Sequence, residues 1–275
     1  MKLLLFFLLL TNALGYNINI INTPFDRGAN IKGSSNAFNI LEPDIINSNL
    51  NINKIDTIET EQKHIRLVYN DIYMHSWKNL NSDKLSLQIG GDHSIAIPSI
   101  FAANTMCRLN KQKLGVLWID AHADFNTMQT SPSGNLHGVP IAVLCGHTLS
   151  LLSFGESLDT EQFALYGVRD IDTLELRRIQ DHNMLMVNSF KEIKEWIEKF
   201  DKIHVSFDMD SLDPSIFSSV NTPVNNGLSL DDLYPIFNEI KKDNKLISAD
   251  IVEYNPLKGI NNMVIIEVLE SMLVK

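Results

Sequence analysis

The segment Trp118–Pro140, WIDAHADFNTMQTSPSGNLHGVP, constrains this chain more than any other, because it sets Asp120, His122 and Asp124 at alternate positions directly after an apolar run. Alternate positions of an extended chain face the same way. The run Leu114–Ile119 therefore reads as a buried strand whose C-terminal end projects three ligand-type side chains, at the edge where open α/β sheets bind their ligands.

Three further segments repeat the pattern of an apolar strand ending in ligand-type residues. Leu85–Ile89 runs into GGDHS with Asp92 and His93, Ile203–Phe207 into Asp208 and Asp210, and Leu246–Val252 into Glu253. Singly, each has a plainer explanation. Asp208 and Asp210 can cap the turn of SLDP, His93 can open a helix, and Glu253 can be a solvated strand end. Four such clusters ending four strands are hard to explain as caps. Two divalent cations held side by side need about this many donors, since each keeps several oxygen or nitrogen ligands and carboxylates can bridge the pair.

The motifs GGDHS, DAHADFNTMQTSPSGNLHGVP, YGVRDID, SFDMDSLDP and VEYNP, in this order and spacing, resemble those of the arginases. These are ureohydrolases, which hydrolyse guanidino groups at a binuclear manganese centre. The resemblance runs from Asn17, with the PFDRG turn, to the last helix. It implies that His93, Asp120, His122, Asp124, Asp208 and Asp210 are the metal ligands of two Mn2+ per chain, with Asp124 and Asp208 carrying oxygens able to bridge the pair. It makes His137 the proton shuttle and Glu253 the carboxylate that receives the guanidinium, with Asp124 grouped beside them at the reacting centre. The chemistry asks for these parts. A guanidinium is a poor electrophile, so its attack at neutral pH needs a hydroxide, implied here to bridge the metals, and the departing amine needs a proton.

The stretch NTMQTSPSGN looks like the arginases rather than the agmatinases. By the resemblance, Asn126, Ser131, Ser133, Asp172 and Glu175 hold the α-carboxylate and α-amino group of L-arginine. An amino-acid end requires donors for a carboxylate and acceptors for an ammonium, and this set contains both. Apart from the neighbouring metal cluster, Asn126, Ser131 and Ser133 would read as ordinary turn residues. Asp170 reads as a support of the fold. The expected reaction is hydrolysis of L-arginine to L-ornithine and urea. The alternatives are another ureohydrolase, acting on agmatine or a guanidino acid, and a non-catalytic arginase-like protein that binds metal or ligand.

The expected fold is a single doubly wound α/β domain, three-layered, with an eight-stranded, mainly parallel sheet flanked by helices. Strands are predicted at Asn17–Asn22, Lys54–Thr57, Leu85–Ile89, Leu114–Ile119, Phe163–Gly167, Leu185–Val187, Ile203–Phe207 and Leu246–Val252. Helical periodicity marks Glu61–Leu80, Ile95–Asn110, Phe190–Phe200, Leu230–Lys242 and Asn262–Val274, with Ser189 and Ser229 as caps. Met74, Trp77, Trp196 and Phe237 are expected to face the core, and Asn226, where the family has glycine, to take a left-handed turn position.

A net charge of −10 and no basic stripe exclude a nucleic-acid binder. Cys107 and Cys145 read as free buried thiols. Lys2, the apolar run Leu3–Leu10 and the small residues Ala13 and Gly15 read as a secretory signal peptide over residues 1–15, ahead of an arginase-like domain at 16–275. That run is too short for a stable membrane span. Localisation is thus expected in the secretory pathway or outside the cell, with a cytoplasmic protein as the alternative. The resemblance also implies a homo-oligomer, a trimer or hexamer.

Overall fold

The computed structural model describes residues 15–275. The apolar run expected to be a signal peptide lies outside the described residues. Eight strands form one sheet: β1 (Ile18–Asn22), β2 (Ile52–Thr57), β3 (Leu85–Ile89), β4 (Leu114–Ile119), β5 (Phe163–Tyr166), β6 (Leu185–Val187), β7 (Lys202–Asp208) and β8 (Leu246–Val252). Their order across the sheet is β2-β1-β3-β8-β7-β4-β5-β6. Every pairing is parallel, so the sheet is wholly rather than mainly parallel.

Parallel strands covered on both faces need continuous apolar runs, and β1, β3 and β4 are buried at every position. Helices α1 (Ala37–Asn47), α6 (Phe190–Ile197), α7 (Leu230–Lys242) and α8 (Asn262–Leu273) pack on one face, through Phe38, Trp196, Phe237 and Leu269 among others. Helices α2 (Ile65–Asn81), α3 (Ala96–Leu109), the short α4 (Pro140–Leu144) and α5 (Thr173–Asp181) cover the other, through Tyr69, Ile100, Ile141 and Ile179. Truncating a fully buried strand residue such as Ile119 to Ala costs roughly 2–5 kcal/mol at such sites.

Ser189 caps α6 by accepting from the Glu192 N–H, and Ser229 forms a reciprocal capping box with Asp232 at α7. The predicted start of α2 at Glu61 moves to Ile65, because Gln62 turns left-handed and His64 caps the helix by accepting from the Arg66 N–H. Met74, expected in the core, is 50% exposed. Cys107 is buried, Cys145 half-buried, and both are free thiols. Among the described residues, no helix is long and apolar enough to cross a membrane.

Candidate metal centre

The carboxyl ends of β3, β8, β7 and β4, the four central strands, converge on one cleft of about 380 Å³. The Gly90–Gly91 turn, left-handed at both residues, swings His93 over the sheet. There the His93 ring stacks on Trp118, with centroids 4.0 Å apart. Its Nε2 meets Ser206 Oγ at 2.9 Å, while Nδ1 faces Asp120 Oδ2 at 2.9 Å and Asp124 Oδ2 and Asp208 Oδ2 at 3.2 Å each. On the other side, His122 Nδ1 lies 3.4 Å from Asp120 Oδ1 and 3.2 Å from Asp210 Oδ2. Five of the six side chains thus make two adjoining ligand groups, His93–Asp120–Asp208 and Asp120–His122–Asp210, and Asp124 stands beside the first. Asp120 belongs to both and offers a different oxygen to each histidine. Asp124 Oδ2 stands 3.2 Å from His93 Nδ1, on the His93 side of the pair.

His93 Nδ1 is buried and forms no hydrogen bond of acceptable geometry, although acceptors surround it. A buried aromatic nitrogen left unbonded amid three carboxylates suits a cation held between them, since the alternative leaves it unsatisfied. The electrostatics agree. Burial, and after it the charge of Asp120, pushes Asp124 up to about 6 and also raises Asp210. Burial and neighbouring Asp210 raise Asp208. Burial would lower His122, but hydrogen bonds to Asp120 and Asp210 outweigh it and push the imidazole up to about 12. The donor set therefore calls for positive charge, and its mixture of carboxylate and imidazole suits manganese or a related divalent ion.

Above this floor, Glu253 Oε1 accepts from the His93 N–H at 2.9 Å and from His137 Nδ1 at 3.0 Å. Asn135 Nδ2 lies 3.3 Å from His137 Nε2. Glu253 Oε2 is buried and has no partner. Both Asp124 (φ 48°) and Glu253 (φ 61°) sit in the left-handed region that non-glycine residues avoid. Such strain, typically about 1–3 kcal/mol per residue, persists only where surrounding contacts over-determine it, and it clusters at functional sites.

The sequence model of the arginase family matches residues 25–274. The chain belongs to the arginase family. An Entamoeba histolytica protein named arginase is 39% identical over 192 residues, an alignment spanning 65% of this chain and 64% of that protein. A Bacillus subtilis arginase is 33% identical over 216 residues, covering 72% of each chain. The crystal structure of Entamoeba histolytica arginase in complex with L-ornithine matches the fold with a TM-score of 0.86 at 30% identity, covering 94% of this chain and 99% of that one. Homologues in the family are hydrolases acting on the guanidino C–N bond.

In this arginase-family chain the residues expected at the amino-acid end all line the cleft, each with bonds of its own. Ser131 Oγ accepts from the Gly134 N–H and Ser133 Oγ from the Asn135 N–H, and the two hydroxyls meet at 3.5 Å, which leaves one hydroxyl hydrogen of the pair free to donate. Asn126 gives its Nδ2 to Asp172 at 2.7 Å, and its Oδ1 is buried without a partner. It therefore presents an acceptor to the cleft. Asp172 caps α5, accepting from the N–H groups of Leu174 and Glu175. Buried Glu175 accepts from the Phe125 N–H, and burial, then Asp124, pushes its carboxyl up to about 8.

Sequence reasoning passed over several contributors. Thr222 Oγ donates to Asp210 at 2.8 Å, and Trp118 Nε1 to Asp120 at 3.0 Å. Asp170, read as a support, lines the cleft 3.7 Å from His122 Nε2. Arg169 donates to six main-chain carbonyls, among them those of Asp210, Ser211 and Val224, and so ties the β7 exit to the turn that carries Thr222. The motif YGVRDID contained it, but a cation spent on carbonyls has no signature beyond its residue type. Asp92, beside His93, accepts from Gly28 and Ser94 and joins neither ligand group.

Proposed function

We propose that the chain is a manganese-dependent arginase, hydrolysing L-arginine to L-ornithine and urea. The observation that carries the reading is the pair of ligand groups sharing Asp120, set beneath a cleft that holds an unpartnered carboxylate oxygen at one level and both acceptors and a hydroxyl donor at its lip. His93, Asp120, Asp124 and Asp208 would hold one metal, and Asp120, His122 and Asp210 the other. Bound there, two divalent ions lower the pKa of water enough to supply hydroxide near neutral pH.

The chain's own residues do the rest. Glu253 Oε2, buried and unpaired, accepts from the substrate guanidinium and orients its carbon over the floor. His137, polarised by Glu253, carries a proton to the departing amine. At the lip, the paired Ser131 and Ser133 hydroxyls donate their free hydrogen to the α-carboxylate. Asn126 Oδ1 and the carboxylates of Asp172 and Glu175 face the ammonium. Agmatine, which lacks the carboxylate, leaves that hydrogen unpaired. Its kcat/KM is therefore expected to be at least about a hundredfold below that of arginine. Urea release from arginine, agmatine and guanidinobutyrate, with and without added manganese, tests this. Equal efficiency with arginine and agmatine would replace the arginase reading with that of a broader ureohydrolase.

A further inference from the structure

Gly28 lies in the loop after β1, within PFDRG, and its backbone is not left-handed, so conformation does not explain a glycine there. Space does. A Cβ at this position would lie 2.6 Å from Ser94 Oγ and closer still to Asp92 Oδ1, both well inside van der Waals contact. The approach is close because both polar groups of Gly28 are in use. Its N–H donates to Asp92 Oδ2 at 2.7 Å. Its carbonyl accepts from the N–H of Leu136 at 2.8 Å and that of His137 at 3.3 Å.

These bonds close a ring. From the Gly28 carbonyl the path runs to the His137 main chain, through its Nδ1 to Glu253 Oε1, from there to the His93 N–H, and through adjacent Asp92 back to the Gly28 N–H. Asp92 is itself immobilised, accepting from the Ser94 N–H and hydroxyl and donating its own N–H to Phe25. His137 sits on a single turn of 3-10 helix, Leu136–Gly138, in which no residue is fully buried and only Leu136 packs against the core. Its main chain is therefore held from the β1 loop.

We propose that Gly28 is a positioning residue for His137, setting the height of the imidazole against Glu253. The proposal rests on His137 being the proton carrier of the reaction proposed above. A side chain at residue 28 forces the loop away from Asp92 and takes the carbonyl with it, so His137 loses its main-chain support, while His93, between Asp92 and Ser94, keeps its ring stacked on Trp118 and bonded to Ser206.

A double-mutant cycle on the full chain tests it. Gly28→Ala is expected to lower kcat by about tenfold or more, with KM within about twofold and the metal content unchanged. In a His137→Ala background the same change is expected to cost less than about twofold, because the group it displaces is already gone. Leu136→Pro gives an independent route if Gly28→Ala does not fold. It deletes the Leu136 N–H and trims a side chain packed part-buried against the core, at a first helical position that tolerates proline after an extended residue, Asn135 (ψ 143°). It should give a smaller loss of kcat that likewise vanishes without His137. Equal losses in both backgrounds, loss of metal in Gly28→Ala, or full activity in Gly28→Ala would each overturn the proposal. Undiminished activity in His137→Ala alone would overturn the proposal together with the reading of His137 as the proton carrier, whereas the outcomes above overturn the proposal alone.

Discussion

On the floor of the cleft, His93 and Asp120 are about 1% exposed and Asp208 3%; Asp120 and Asp208 stand at the ends of strands locked between neighbours on both sides, and His93 on the turn that follows a third. At the lip, Pro132, Ser133 and Gly134 are exposed, and the loop holds its shape through short-range bonds such as Gly134 to Ser131 and Asn135 to Ser133. The floor is thus fixed by the whole sheet and the lip by a few local contacts. Changes on the floor should act through metal binding, while changes at the lip should act on the choice of substrate and leave the metals in place.

The largest effect is expected for Asp120→Asn, which removes the charge shared by both ligand groups. It should strip most of the metal and lower urea release by roughly three orders of magnitude or more. Asp124→Asn, on the His93 side only, should weaken one metal more than the other. Elemental analysis of the purified variants separates the two, and equal, near-complete retention in both would break the division of labour on the floor.

Between floor and lip stands His137. His137→Ala should keep the metals and lower the rate by about two to four orders of magnitude, the range for loss of a positioned acid or base. A variant that loses its metals instead would make this residue part of the floor. At the lip, Asp172→Ala should weaken arginine relative to agmatine with no change in metal content. It should also cost about 1 kcal/mol of stability through loss of the α5 cap, read as a lower denaturant midpoint. If discrimination is unchanged while stability falls, Asp172 is a cap and nothing more.

The same contrast governs what the sequence made legible. Apolar-rich runs place β3, β4 and β8 with their predicted bounds, and the ligand-type residues follow because they stand just beyond those runs. Helix α1 escapes notice because Pro43 lies inside it, and α5 because Leu174 and Leu176 are exposed while Glu175 and Ile179 are buried. Alternate spacing puts Asp120, His122 and Asp124 on one side of the chain, but it does not show that Asp120 lies between the two histidines or that the backbone turns left-handed at Asp124. Nothing local announces that turn, since aspartate is not glycine. Asn226 is the opposite case: an asparagine where the family has glycine, it takes the left-handed angle, φ 62°. The orientation of the Asn126 amide is set by Asp172, 46 residues further on, and is invisible until the fold joins them.

The most direct test is a manganese titration of metal-depleted protein, following bound metal by elemental analysis and urea release from arginine in the same samples. Two ligand groups sharing one carboxylate predict saturation at about two ions per chain, with most of the activity appearing only as the second site fills. Full activity at one ion per chain, or two bound ions with no urea from arginine, would contradict the account.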